Sequence, residues 1–273
     1  QDILMGAYED IAAVRISHLI EIMRSPLHYQ HCVKNGKESP ALSFGRFYHA
    51  LILEPETLRQ NYYRLDPAER PDQAHGMTAK ANKLFVQGLA ESNPGKAAIS
   101  NEDRDLAYKM RAVIVGSPYP AALVARKGKF EEEKVWDIEG VKAKGKIDKR
   151  VDGENIGLDL KTCRDATLKA FTSEAMKHHY HTKAAWYIDG FGLSGFLWIA
   201  QEKAAPYAVN VIRPTLELLE QGRTNYKFCL KVLKQCREKY GHETGKNQWP
   251  GYEFMEGGWP EMELPKWANS FSR

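Results

Sequence analysis

The sequence predicts an α/β fold in which a central mixed β-sheet is flanked by helices. Three observations carry that expectation. Apolar residues recur at helical spacing through the first half of the chain. Near residue 130 the texture changes to short segments rich in β-branched and aromatic residues, joined by tight turns. Helical patterning then returns before further strands, so helices pack on a sheet that is not built from hairpins alone.

The N-terminal elements come first. Ser17 is placed to cap a helix running from His18 to about Arg24, and Ser25-Pro26 interrupts it. Ala41 to Leu53 predicts a second helix, stopped by Glu54-Pro55. Residues 65–78 carry two prolines and a glycine among polar neighbours and read as a surface loop. Helical periodicity resumes over Leu84 to Leu89 and Leu106 to Val115.

Strands are expected at Lys134 to Ile138, Lys144 to Val151, Ile156 to Leu160, Phe196 to Ala200 and Tyr207 to Ile212. Glu139-Gly140 and Asp152-Gly153-Glu154-Asn155 are the turns that make the first three antiparallel neighbours. Helices are expected over 166–175 and 178–190. A stretch from Trp249, with Trp259-Pro260 and Leu264-Pro265-Lys266-Trp267, reads as a meandering tail held by aromatic burial. The organisation expected is a single domain over 1–273: a helical part to 125, the sheet and its helices over 126–240, and the tail over 241–273.

Composition narrows the function classes. A chain of 273 residues with 43% hydrophobic and 27% charged residues is neither disordered nor fibrous. Nothing approaches the roughly 20 apolar residues of a membrane span, and no signal pattern opens the chain, so a soluble cytoplasmic protein with no membrane partner is expected. Gln1 reads as the start of a processed or truncated chain. The net charge of +4 permits a polyanionic partner without demanding one. Cys32, Cys163, Cys229 and Cys236 are dispersed, without a CxxC pair, and Cys229 and Cys236 fall on an apolar helical face, so structural thiols are expected.

The chemistry concentrates in residues 131–161. Three adjacent strands carry acids: Glu131 to Glu133, Asp148 among Lys142, Lys144, Lys146, Lys149 and Arg150, and Asp159-Leu160-Lys161. Asp159 and Lys161 project from one strand face while Leu160 points into the core, and Asp148 can face them from the neighbouring strand. Converging carboxylates suit a hard divalent cation, and a lysine beside them can orient or deprotonate the attacking water. An Asp-x-Lys tripeptide alone is weak, since such a pair is usually a surface ion pair. The apolar strand before it and Asp148 one hairpin away raise its weight. His49, on an apolar helix, reads by itself as a core histidine.

These residues resemble a known family. Gly145-Lys146-Ile147-Asp148 followed by Gly157-Leu158-Asp159-Leu160-Lys161-Thr162 is similar to the PD-(D/E)xK nuclease superfamily, in its RecB-like branch of RecE-type exonuclease VIII and lambda-type exonucleases. The likeness extends to Ile16-Ser17-His18-Leu19, Ser25-Pro26 and Tyr29, to the segment Gly45 to Pro55, to Gly128 to Trp136 with its glutamate, to Tyr180 to Gly190, and to Trp249-Pro250 with Leu264 to Ala268. The resemblance implies a restriction-endonuclease-like core and a metal held by His49, Asp148, Asp159 and the Leu160 carbonyl. It further implies that Lys161 positions or activates the attacking water and that Glu131 supports the site. Which of Glu131, Glu132 and Glu133 faces inward stays open, because an offset of one reverses the face. Where the family has glutamine, this chain has Lys183, four residues before Tyr187 and on the same helical face. Ser17, Arg24, Lys183 and Tyr187 are the implied DNA contacts.

The implied activity is Mg²⁺-dependent 5′-to-3′ digestion of linear double-stranded DNA. It would use one or two ions, with Mn²⁺ as a substitute, and leave 3′ overhangs for recombination by strand annealing. DNA ends, a single-strand annealing protein and a homo-oligomeric ring of three or four subunits are the implied partners. The alternatives are a Cas4-like or endonucleolytic nuclease of the same fold, or a DNA-end-binding protein with weakened catalysis. Arg223, Lys227, Lys231 and Lys234 form a basic helical stripe that reads chiefly as a solvated face, with phosphate tracking as the minority reading.

Overall fold

The computed structural model describes residues 8–36, 40–65 and 79–256. The expected loop beyond Leu65 and the aromatic tail beyond Glu256 lie outside the described residues.

In chain order the elements are β1 (Val14–Arg15), α1 (Ile16–Leu19), α2 (Pro26–Asn35), α3 (Pro40–Leu53), α4 (Leu58–Asn61), β2 (Tyr62–Leu65), α5 (Ala79–Ser92), β3 (Ala97–Ser100), α6 (Asn101–Gly116) and α7 (Pro118–Ala125). There follow β4 (Gly128–Ile138), β5 (Val141–Val151), β6 (Ile156–Cys163), α8 (Leu168–Lys177), α9 (Tyr180–Phe191), β7 (Gly195–Glu202), β8 (Val209–Ile212), α10 (Leu216–Tyr240) and α11 (Glu253–Glu256).

The main sheet is mixed, as expected. Its strands run β1-β5-β6-β7-β8, with β4 along the other side of β5. β4, β5 and β6 form an antiparallel meander, while β6 and β7 are parallel because α8 and α9 cross over between them. β2 and β3 make a separate parallel pair. The five expected strands and the helices are present, with bounds shifted by up to six residues. β1, β2 and β3 are additions, of two to four residues each.

The N-terminal helix corrects one expectation. Arg15, not Ser17, stands at the N-cap of α1, which continues as a 3-10 turn over Ile20–Met23. Ser25 caps α2 by accepting the His28 N–H, with Pro26 in the first turn where its missing N–H costs nothing.

Helices cover both faces of the sheet. On one face α3, α6 and α7 bury Tyr48, Leu51, Met110 and Leu123 against Leu158, Leu160 and Ile199 of β6 and β7. On the other, α8, α9 and α10 bury Phe171, Trp186, Tyr226 and Leu230 against Phe196, Trp198 and Ala200. Leu160 thus points into the core, as its strand period requires. All four cysteines are buried and none forms a disulfide. On α10, Arg223 is bound to Asp189 and Glu220 and Lys234 to Glu139, so two of the four stripe cations are spent on ion pairs. No helix among the described residues is long and apolar enough to cross a membrane.

Candidate active site

The site forms where the β5–β6 ladder ends. Its last pair is Lys149 with Leu158, so Asp148 stands just beyond it, with Asp159, Leu160 and Lys161 leaving the ladder on the other strand. The Leu160 N–H that pairing would have used donates instead to the Asp148 carboxylate at 2.8 Å. The Leu160 carbonyl faces His49 Nε2 at 2.7 Å. Strand splitting therefore frees one backbone carbonyl beside two carboxylates, and α3 delivers the histidine to it. On α3, Phe44, Phe47, Tyr48 and Leu51 face the core, which turns Arg46, His49 and Ala50 toward the site.

His49 Nδ1 lies 3.2 Å from Asp148 Oδ2. With acceptors at both ring nitrogens, the imidazolium form satisfies both contacts. Burial opposes that charge, but Asp148, with Asp159 behind it, outweighs burial and raises the His49 pKa. Burial likewise opposes ionisation of Asp148, yet His49, Lys161 and the Leu160 N–H hold it far below the ordinary carboxylate range. Asp159 goes the other way: burial and the neighbouring Asp148 charge raise it despite its ion pair with Lys161. Lys161 is raised in spite of burial, because Asp159 and Asp148 both favour the ammonium. Two carboxylates crowded in this way call for positive charge between them.

β4 brings the third acid. Its register sets Glu131 opposite Asp148, between the pairs Phe130–Lys149 and Glu132–Ile147. Glu131 has a left-handed φ of 47°, unusual for a side chain in mid-strand and a form of strain that recurs at functional sites. Its position narrows the choice among the three glutamates. Glu131 and Glu133 line a cavity of about 810 Å³ with Arg46, His49, Glu54 and Asp148, whereas Glu132 pairs with Arg150 at 3.3 Å. One ligand atom each from His49, Glu131 and Asp148 lie within 4.8 Å of one another. Lys146, on the same face of β5 as Asp148, binds Glu131 at 2.6 Å.

A second cavity, of about 210 Å³, adjoins the first and shares Lys146 and Asp148 with it. Ser17, Asp159, Lys161, Tyr180, Lys183 and Tyr187 line it over a floor of Phe196 and Trp198. Tyr180, Lys183, Ala184 and Tyr187 fall at i, i+3, i+4 and i+7 of α9, one helical face. Tyr187 stacks on Phe196, with ring centroids 6.2 Å apart. It also lies over Gly145, where a Cβ would come within 2.9 Å of the ring, so only glycine admits the tyrosine there.

Of the residues singled out from sequence, His49, Glu131, Asp148, Asp159, Leu160 and Lys161 converge, and Ser17, Lys183 and Tyr187 line the adjoining cavity. Arg24 does not join them. Its guanidinium is exposed, 3.4 Å from Glu21, and lines neither cavity. Sequence reasoning gave no role to Lys146, Glu54 or Tyr180. Lys146 had a signal, its two-residue offset from Asp148. Glu54 had none, because its place beside Glu131, which with burial raises its pKa, is purely tertiary.

The donors suit a divalent cation. Carboxylates, a backbone carbonyl and one imidazole form a hard, oxygen-rich set, and burial with the neighbouring Asp148 charge holds Asp159 above its usual range even with the Lys161 ammonium beside it.

A family model described as a PDDEXK-like domain of unknown function (DUF3799) matches residues 16–246. No curated protein matches the sequence. Among solved structures, a Eubacterium rectale protein provisionally designated an exonuclease is similar over 99% of both chains, at 12% identity and a TM-score of 0.58. A phage-related exonuclease from Haemophilus somnus 129PT covers 60% of this chain and 85% of its own, at 11% identity and a TM-score of 0.34.

Proposed function

Since the chain belongs to the PDDEXK-like domain family DUF3799, we propose that it is a metal-dependent exodeoxyribonuclease that hydrolyses linear double-stranded DNA. The observation that carries this reading is the convergence of His49, Glu131 and Asp148 with the Leu160 carbonyl, beside the Asp159–Lys161 pair.

His49, once its imidazolium gives up a proton to free a ring nitrogen, would hold Mg²⁺ with Asp148, Asp159 and the Leu160 carbonyl, Mn²⁺ could take its place, and Glu131 supports the cluster from β4. When bound, one or two such ions neutralise charge developing on the phosphate and favour the hydroxide form of water. The remaining chemistry belongs to the chain. Lys161, fixed by Asp159, orients the attacking water and stabilises the developing phosphate charge through its ammonium. Its raised pKa keeps it protonated at neutral pH, so it acts by donating hydrogen bonds and charge, not as a resting base. Lys183 and Ser17 offer donors to the phosphate in the smaller cavity, and Tyr187 fixes the cavity wall. Lys183, standing for the family glutamine, adds a cation in exchange for a group that could also accept a hydrogen bond.

The resemblance to RecE-type and lambda-type exonucleases extends the proposal to 5′-to-3′ polarity, to 3′ overhangs passed to a single-strand annealing protein, and to a ring of three or four subunits. Digestion of duplexes blocked at 5′ or 3′ ends, beside closed-circular DNA, tests it. Linear duplex with free 5′ ends is degraded and circles are spared. Cutting of circles would instead favour the endonucleolytic reading.

A further inference from the structure

The ring of Tyr180 carries two ammonium groups. Lys161 Nζ and Lys183 Nζ each lie 5.3 Å from its centroid, within cation–π range. The two lysines come from different elements, β6 and α9, and Tyr180 opens the helix that holds one of them. His179, just before it, has a left-handed φ of 54°, which turns the chain sharply out of α8. A histidine in that region carries backbone strain, and its result is to swing the Tyr180 ring over the cavity. Phe171, 6.0 Å away, and His178, stacked at 5.7 Å with 25° between planes, hold the ring from the side of α8. Both ammonium groups thus meet the one ring where they line the cavity of about 210 Å³, beside the Asp148 and Asp159 carboxylates.

We propose that Tyr180 is a positioning residue of this site, whose ring holds the Lys161 and Lys183 ammonium groups together so that two cations face one DNA phosphate. The proposal rests on the reading of Lys161 as the catalytic lysine. Tyr180 itself touches neither water nor phosphate in the reaction. It sets where Lys161 stands for the chemical step and where Lys183 stands for substrate binding, which makes the ring, not the hydroxyl, the working part.

Steady-state digestion of linear duplex by Tyr180→Leu, Tyr180→Phe, Lys183→Gln and Lys161→Ala separates the possibilities. Tyr180→Leu is expected to lower kcat on the order of tenfold and to raise KM severalfold, and Tyr180→Phe to restore both toward wild type. Lys183→Gln should raise KM alone, and its effect should shrink in the Tyr180→Leu background because the two share one interaction. A second readout is independent of activity. In spectra of protein with isotopically labelled lysine, ring-current shifts of the Lys161 and Lys183 side chains persist in Tyr180→Phe and vanish in Tyr180→Leu. Equal activity of Tyr180→Leu and Tyr180→Phe, or ring-current shifts indifferent to position 180, would overturn the proposal. A Lys161→Ala enzyme that digests at the wild-type rate would overturn the catalytic reading beneath it instead, and the lysine spectra would still judge the ring contacts.

Discussion

Gly190→Ala puts the packing behind the site to a test of sign. Glycine in a helix interior costs about 1 kcal/mol relative to alanine, so propensity alone predicts that the substitution stabilises α9. The structure predicts the reverse. A Cβ at position 190 would lie 2.3, 2.4 and 2.7 Å from Cζ2, Cε2 and Cη2 of Trp136, where carbon atoms prefer about 3.5–4.0 Å. The indole has nowhere to retreat, because Trp186 and Phe191 stand at 5.4 and 5.7 Å and Gly145 lies beneath its edge. Overpacking of this kind costs about 1–3 kcal/mol, and an aromatic ring confined on several sides belongs at the upper end. Net destabilisation is then about 2 kcal/mol, a fall in Tm of roughly 4–8 °C. Urea unfolding should show a lower midpoint at unchanged slope. In a Trp136→Leu background the alanine should become neutral or stabilising, since the obstruction is gone. A Gly190→Ala protein with a raised Tm in the wild-type background would show that the indole is not confined.

Lys161→Ala should reduce duplex digestion by roughly 10²–10⁴-fold while leaving divalent-cation binding in place, as rapid-quench kinetics and cation titration would show. Glu243, buried and bound by Arg237 at 2.6 and 2.8 Å and by the Tyr29 hydroxyl at 3.0 Å, has a folded pKa below its unfolded value because these donors outweigh its burial. Its contribution to stability is therefore complete above the unfolded value and is lost as pH falls through the folded one. Denaturation midpoints of Glu243→Gln should converge on wild type at acid pH and separate above about pH 4.5, and parallel curves would contradict this. Neutralising Lys227 and Lys231 together should leave the salt dependence of DNA binding unaltered, because a solvated stripe releases no counterions on binding. A slope reduced by about two would show that the stripe tracks phosphate.

How far the sequence could be read depended on the range of the interactions. Asp148, Asp159, Leu160 and Lys161 sit on strands joined by short turns, so strand periodicity alone sets their faces, and the sheet meander was legible for the same reason. Glu131 was ambiguous because three consecutive glutamates leave the register open. Only the pairing of β4 with β5, and a left-handed backbone that no propensity signals, assign it. β1, β2 and β3 escaped notice because strands of two to four residues in parallel pairing take their stability from distant partners and leave no local pattern. Ser17 carries the signature of a helix cap, yet it lines the cavity while Arg15 occupies the cap. Arg24 was assigned by resemblance alone, and its side chain turned out to lie beside Glu21, away from both cavities. Tyr180 gains meaning only when a strand lysine and a helix lysine meet over it.

The proposed divalent-cation site stands around Asp148, where β5 and β6 split. Electron paramagnetic resonance of Mn²⁺ titrated into wild-type protein and Asp148→Asn measures it directly. The wild type should bind one or two Mn²⁺ per chain, in competition with Mg²⁺, and Asp148→Asn should lose that binding while its circular dichroism stays native. Equal Mn²⁺ binding by a natively folded Asp148→Asn would mean that no divalent-cation site is built around Asp148.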